Sequence, residues 1–114
     1  MIITVYKNTH GIITGFKIDD HAQTPELCAA ISAITEVFEI IFENIRGIEY
    51  KIEKAGTKGG NVSKTFSFRE KAMPFIGCDD FANVFELVLR QFIATANVTD
   101  PVHKGEYHIV TEIH

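Results

Sequence analysis

One long apolar stripe constrains this fold more than any other feature of the sequence. Between Pro25 and Arg46, apolar residues recur every three or four positions, which predicts an amphipathic helix about 33 Å long. Thr24 is placed to act as its N-cap, Pro25 suits the first helical position, and Gly47 suits the C-cap. The stripe consists of Leu27, Ala30, Ile31, Ile34, Val37, Phe38, Ile41 and Ile45.

Shorter segments with alternating apolar and polar residues predict strands around this helix. A second amphipathic helix follows over Phe81 to Phe92, started by Asp79 or Asp80, and a loop over Asn97 to Gly105 precedes the last strand. The predicted fold class is α+β, in the order ββαββαβ, with a five-stranded mixed sheet and both helices on one face. The predicted strands are 2–7, 12–18, 48–53, 62–68 and 107–113.

Composition limits the class of protein. The 114 residues suit one domain, residues 1–114, and nine Phe with 46% hydrophobic residues exclude a disordered chain. No apolar run approaches the roughly 20 residues needed to span a bilayer, and no signal peptide is recognisable. Two cysteines fifty positions apart do not make a disulfide framework, so we expect a reduced, cytoplasmic protein without a membrane partner.

The net charge of -4 conceals an uneven distribution. Residues 49–71 carry six basic and three acidic side chains, which puts this segment at +3 and the rest of the chain at -7. The lysines either contact RNA or the ribosome, or protect a solvated hairpin from pairing with other sheets. Few aromatic residues alternate with them, which favours the second interpretation. The lysines concerned are Lys51, Lys54, Lys58 and Lys64.

Cys28 carries the strongest chemical signal in the chain. It falls in the first turn of the long helix, where unpaired N–H groups and the helix dipole favour an anion such as a thiolate. His21 lies a few residues upstream, close enough for a turn to bring its imidazole to the sulfur. Such a pair can attack a carbonyl carbon. The alternative is that Cys28 is a small buried apolar residue.

The residues around Cys28 also resemble those of a known family. The run Cys28-Ala29-Ala30-Ile31-Ser32-Ala33 opens the helix, and His21-Ala22 stands just before it, at the exit of an N-terminal hairpin. With the element order and the length, these motifs resemble the Prp family, the ribosomal-processing cysteine proteases of certain bacteria. The resemblance implies that Cys28 is the nucleophile, that His21 is the general base, and that Ser32 supports the site.

The resemblance carries further expectations about substrate and assembly. It implies a homodimer, without a cofactor, that removes an N-terminal extension from a large-subunit ribosomal protein or a similarly tagged protein. Asp20 stands where the family has glycine, and the loop from His21 to Cys28 is several residues shorter, so the chain is expected to be a divergent member. Asp20 either orients the imidazole or is a solvated loop acid.

Three other interpretations of the sequence stay open. A zinc site would need His21, Cys28, Cys78 and either His103 or His108 to converge, without the usual ligand spacing, so we predict no metal. Cys78, near the start of the second helix, is a second candidate thiol without a histidine nearby in sequence. The third is a non-catalytic relative with the same fold, which binds the ribosome, RNA or a protein partner.

Overall fold

The structure is a computed structural model that describes residues 1–19, 24–44, 50–56, 62–68 and 78–114. For residues 50–56, 62–68 and 78–80 the description is of the backbone, with the side chain of Thr65. Asp20, His21, Lys58 and Gly47 therefore lie outside the described residues. The elements are β1 (Ile2–Lys7), β2 (Ile13–Asp19), α1 (Pro25–Asn44), β3 (Tyr50–Gly56), β4 (Val62–Phe68), α2 (Cys78–Thr99) and β5 (His108–Ile113).

The sheet has the strand order β3-β4-β2-β1-β5. The β1–β5 pair is parallel, and the other three pairs are antiparallel. Both helices therefore connect parallel strands, α1 from β2 to β3 and α2 from β4 to β5. The connection through α1 crosses the sheet from β2 to β3, and the connection through α2 crosses it in the opposite direction, from β4 to β5. The strands from which they start, β2 and β4, are antiparallel. Because such connections are nearly always right-handed, they place both helices on the same face.

The predicted fold class needs a correction in the arrangement of its sheet. The α+β class with two helices is confirmed, and the correction concerns the order of the strands, which in the sheet differs from their order along the chain. Three neighbouring strands of the sheet form the unit β2-β1-β5, in which β1 lies between the second strand and the last. The β3–β4 hairpin extends this unit at the β2 edge by backbone pairing. The order of the elements along the chain could not indicate the order of the strands in the sheet, because the last strand, β5, pairs with the first, β1.

The turn of the β1–β2 hairpin lies between Lys7 and Ile13. Asn8 accepts hydrogen bonds at Oδ1 from the N–H groups of His10 and Ile12, at 2.9 and 3.0 Å. Gly11 adopts a φ of 78°, a left-handed conformation that a residue without Cβ adopts at little cost. The register shifts once, between Tyr6 and Lys7, as at a β-bulge. Such a shift changes the face of the sheet to which the side chains near the turn point.

The core lies between this sheet and the two helices. Phe85 of α2 is its centre: its ring stacks on that of Phe38 at 4.3 Å and contacts those of Phe16 and Phe42 at 4.7 and 6.0 Å. Ring contacts therefore join both helices to β2 in one cluster. The buried sheet residues that complete this face are Ile3, Val5, Ile13 and Ile18.

Helix α2 extends beyond its predicted bounds at both ends, and it begins at Cys78 rather than at Asp79 or Asp80. It extends to Thr99, so the loop predicted from Asn97 was wrong; Ala96 continues the buried stripe, and Pro101 ends the helix because it has no N–H to donate. Tyr107 precedes β5 and is buried. Within the described part of the chain, neither helix combines the length and apolarity required to cross a bilayer.

Candidate functional site

The start of helix α1 is organised by Thr24. Its hydroxyl oxygen accepts a hydrogen bond from the N–H of Leu27 at 3.3 Å, and its carbonyl accepts one from the N–H of Cys28 at 3.0 Å. This is the geometry of an N-cap, so the predicted cap and the predicted start at Pro25 are confirmed. The cap determines which backbone N–H groups remain available at this helix end.

Few N–H groups of this first turn remain available for an anion. Pro25 has none, and those of Leu27 and Cys28 are bound to Thr24. Among the residues described here, Glu26 has the one N–H of the first turn for which the structure records no acceptor. An oxyanion at this helix start would therefore be held by the Glu26 N–H.

Cys28 lies at the boundary between core and solvent. Its side chain is partly buried and packs against the hydrophobic core, whereas Pro25, Glu26 and Ala29 around it are exposed. Ser32 is exposed one helical turn later, on the same side of α1. Its carbonyl accepts a hydrogen bond from the hydroxyl of the buried Thr35 at 3.0 Å. Cys28 thus lies at the edge of the core, in the first turn of α1.

The structure does not test the remaining predicted site residues. His21 and Asp20 lie outside the described residues, so the distance from imidazole to sulfur stays a prediction. Cys78 begins α2, but its side chain is also outside the description. No three His, Cys, Asp or Glu side chains within the described part are grouped so that they could hold a metal ion.

A polar cluster at the other end of the helix layer escaped the sequence analysis. Asp100 is buried, and its Oδ2 accepts a hydrogen bond of 2.6 Å from the hydroxyl of Tyr107. The Nδ1 of His103 lies 2.9 and 3.0 Å from the two carboxylate oxygens; since an ionised carboxylate only accepts, Nδ1 carries the proton. His103 is therefore bound to a buried partner.

This Tyr107–Asp100–His103 cluster has the properties of a structural clamp. The hydrogen bonds from Tyr107 and then from His103 lower the pKa of Asp100. Beside it, the amide of Asn97 donates to the carbonyl of Tyr107 at 3.3 Å, and the terminal amine of Met1 donates to the carbonyl of Glu106 at 2.8 Å. These bonds connect the end of α2 to the strands β1 and β5. In the sequence, the signal that could have indicated this cluster is an aspartate three residues before a histidine at the end of a helix.

The lysines of the basic segment do not share one face of the β3–β4 hairpin. Lys54 and Lys64 are direct partners in the register, whereas Lys51 pairs with Ser67. Because successive residues of a strand alternate between faces, Lys51 and Lys54 occupy opposite faces. Lys58 lies outside the described residues. The register does not favour a single basic surface for RNA.

Comparison with known proteins identifies the fold. No model of a known protein family matches the chain, and no curated protein matches it. SMU.848 from Streptococcus mutans has a similar structure, with a TM-score of 0.68 and 15% identity over 97% of this chain and 94% of that chain.

Two structures of the ribosomal processing protease Prp from S. aureus are also similar. The complex with a covalently linked product peptide has a TM-score of 0.60 and 15% identity, over 97% of this chain and 98% of that chain. The complex with a substrate peptide has a TM-score of 0.58 and 14% identity, over 99% and 98%. This chain therefore has a Prp-like fold over nearly its whole length.

Proposed function

We propose that this protein is a cysteine endopeptidase of the Prp type that removes an N-terminal extension from a ribosomal or similarly tagged protein. The observation that carries the proposal is the position of Cys28. It is a partly exposed thiol in the capped first turn of α1, in a fold like that of an enzyme described with substrate and product peptides. A cytoplasmic site of action belongs to the same proposal.

The proposed chemistry follows from these groups. Cys28 Sγ, as thiolate, forms a bond to the scissile carbonyl carbon, and the Glu26 N–H donates to the developing oxyanion. The C–N bond then breaks, and the leaving amine takes a proton from the imidazolium of His21. A water molecule gives its proton to His21 and adds to the acyl carbon. The C–S bond breaks, which releases the carboxylate product and restores the thiolate.

A cleavage assay tests this proposal. The full chain is incubated with ribosomal protein precursors that carry N-terminal extensions, and the products are identified by intact mass. We expect loss of an N-terminal fragment with the parent chain and none with Cys28→Ser. The matched control is Ala29→Ser, which adds a hydroxyl at the exposed neighbouring position and should cleave like the parent. Cleavage that persists in Cys28→Ser, or no cleavage of any precursor, would contradict the proposal.

A binding protein without peptidase activity is the second candidate. The observation that favours it is the limited supply of N–H groups at the start of α1, since Thr24 occupies two of them. In this case the chain would retain precursor proteins without cutting them, and Cys28→Ser would bind as well as the parent. Pull-down of intact precursor by both chains distinguishes this function from the first.

The homodimer that the resemblance implies stays a prediction. Light scattering of the full chain at several concentrations gives its mass in solution. A mass of twice the chain would agree with the prediction, and the mass of one chain at all concentrations would contradict it.

A further inference from the structure

Strand β5 forms an open edge of the sheet. It pairs with β1 and is the last strand in the order β3-β4-β2-β1-β5. The N–H groups of His108 and His114 bond to carbonyls of β1. Because backbone groups alternate between the two sides of a strand, those of Ile109, Thr111 and Ile113 point away from β1. Within the part of the chain that the structure describes, these outward groups have no hydrogen-bond partner. We call these three residues the β5 edge.

The β5 edge lacks the features that protect edge strands from pairing. Proteins protect such strands with lysine, proline or β-bulges. Strand β5 contains neither lysine nor proline, and its register with β1 runs without a shift. Its Val110 and Ile113 are 44% and 68% exposed. At the other edge of the sheet, β3 contains Lys51 and Lys54. The β5 edge therefore suits an added strand, because an extended backbone supplies N–H and C=O groups at the matching spacing.

The sequence of β5 indicates which strand fits. In both directions from Thr111, isoleucine stands two positions away and histidine three positions away: His108-Ile109-Val110-Thr111-Glu112-Ile113-His114. Two antiparallel copies centred on Thr111 therefore place Thr111 opposite Thr111 and Ile109 opposite Ile113. Every residue of the β5 edge then occupies a hydrogen-bonded position, at which each pair exchanges two N–H···O=C bonds. A strand of another protein would not require this symmetry.

The side chains of the β5 edge agree with such a pair. Ile109 packs against the core, and Thr111 accepts a hydrogen bond at Oγ1 from the guanidinium of Arg90 at 3.4 Å, so the edge residues point to the helix face. In the pair, the exposed Ile113 would pack against Ile109 of the second copy, and the two Thr111 side chains would be neighbours. Cross-strand pairs of these residue types stabilise antiparallel sheets.

The opposite face of the pair also tolerates this register. Val110 would lie opposite Glu112, and His108 opposite His114. No carboxylate or lysine would lie opposite another of its kind, an arrangement that destabilises a strand pair. The alternative register, centred on Val110, would leave one residue of the β5 edge without a strand partner.

We infer that two copies of this chain associate through the β5 edge, antiparallel and centred on Thr111, so that their sheets become continuous. The contact is two-fold, so it uses the open edge of both copies and closes as a dimer. This inference assigns an interface to the homodimer predicted above, on the evidence of the strand rather than of the resemblance. It does not depend on peptidase activity, which the cleavage assay tests separately.

Sedimentation velocity of the full chain at several concentrations tests the inference. We expect the parent to have twice the mass of one chain. Thr111→Pro should have the mass of one chain at the same concentrations, because it removes the central outward N–H, and an edge strand tolerates proline there. The matched control is Thr111→Val, which also loses the hydroxyl contact with Arg90 but keeps the N–H, and should stay dimeric. Circular dichroism checks that both variants fold. A parent of one-chain mass at every concentration, or a folded Thr111→Pro that stays dimeric, would overturn the inference.

Disulfide cross-linking tests the register and does not require the proline variant to fold. The Cα atoms of a hydrogen-bonded pair lie about 5.5 Å apart, within the range of a disulfide. Thr111→Cys should therefore form a covalent dimer under mild oxidation, whereas Val110→Cys should not, because Val110 lies opposite Glu112. The parent, oxidised in the same way, accounts for Cys28 and Cys78, and mass spectrometry of peptides identifies the linked positions. No cross-link at position 111, or a stronger one at position 110, would overturn this register.

Discussion

The two ends of the helix layer use their polar groups in different ways. At the start of α1, the chain binds the backbone N–H groups of Leu27 and Cys28 but leaves the Cys28 side chain partly open to solvent. At the end of α2, Asp100 is buried, and its carboxylate accepts hydrogen bonds from Tyr107 and His103. One end leaves a candidate nucleophile at the edge of the core, whereas the other satisfies a buried charge inside the molecule.

This difference separates a candidate site from a structural cluster, although both contain residues of catalytic type. A buried carboxylate with internal donors stabilises the folded chain, so its loss should appear in stability. A thiol at the edge of the core contributes little packing, so its loss should appear in reactivity. Carboxylates with a shifted pKa often mark functional sites, but ion pairs with a purely structural role also shift the pKa of a carboxylate. The following predictions test this separation.

The largest expected effect is on the reactivity of Cys28. In the proposed dyad, iodoacetamide should label Cys28 rapidly at about pH 6, and His21→Ala should slow labelling about tenfold or more, because the imidazolium no longer stabilises the thiolate. Mass spectrometry of peptides distinguishes Cys28 from Cys78.

Asp100→Asn is the control for this experiment, since it alters the other end of the helix layer. It should label at the parent rate once folding has been checked. Equal labelling of the parent and His21→Ala would separate His21 from Cys28 and contradict the dyad.

Local patterns predicted the parts of the fold that depend on neighbouring residues. Thr24 and Pro25 indicated where α1 begins, because a helix cap is determined within a few residues. The end of α2 was predicted wrongly because Asn97 resembles a loop residue; its amide instead bonds to the carbonyl of Tyr107. That contact depends on the tertiary fold.

Periodicity also could not separate core from surface on the helices. Val37 and Phe38 stand next to each other in the apolar stripe of α1, yet Val37 is 54% exposed and Phe38 is 7% exposed. The stripe is wider than the buried face of the helix, so part of it is exposed to solvent. For the site, sequence indicated Cys28 through its place after a cap, whereas Asp100 and Tyr107 meet only after β5 has inserted beside β1.

The second prediction concerns the pH dependence of stability. Because the pKa of Asp100 is lowered in the folded chain, its stabilising contribution is complete above the ordinary carboxyl value of about 3.9 and disappears as pH falls through the folded value. The melting temperatures of the parent and Asp100→Asn should therefore differ most well above pH 3.8 and converge as the pH falls below it, through the folded value.

Tyr107→Phe sharpens this prediction, because it removes the hydrogen bond that lowers the pKa most. The pKa of Asp100 should then rise toward its ordinary value, so the acid loss of stability should be smaller than in the parent and should be complete at higher pH. Parallel melting profiles for the parent and Asp100→Asn across this range would show that the Asp100 charge does not stabilise the fold.

The smallest effect is expected at the cap of α1. Thr24→Ala removes the acceptor of the Leu27 N–H and should lower the unfolding free energy by about 1 kcal/mol, or roughly 4 °C in melting temperature. Thr99→Ala is the matched control at the end of α2. Its hydroxyl donates to the Thr95 carbonyl within the helix and is exposed, so its removal should cost less than about 0.5 kcal/mol.

Thermal melts of both variants, with Cys28 labelling rates from the same samples, connect the cap to the candidate site. If the cap holds the first turn of α1 in place, Thr24→Ala should change the labelling rate of Cys28, whereas Thr99→Ala should leave it at the parent value. Equal stability of the two variants would mean that the Thr24 bond does not hold the helix start. Chemistry at Cys28 would then depend on the residues that precede the helix rather than on the cap.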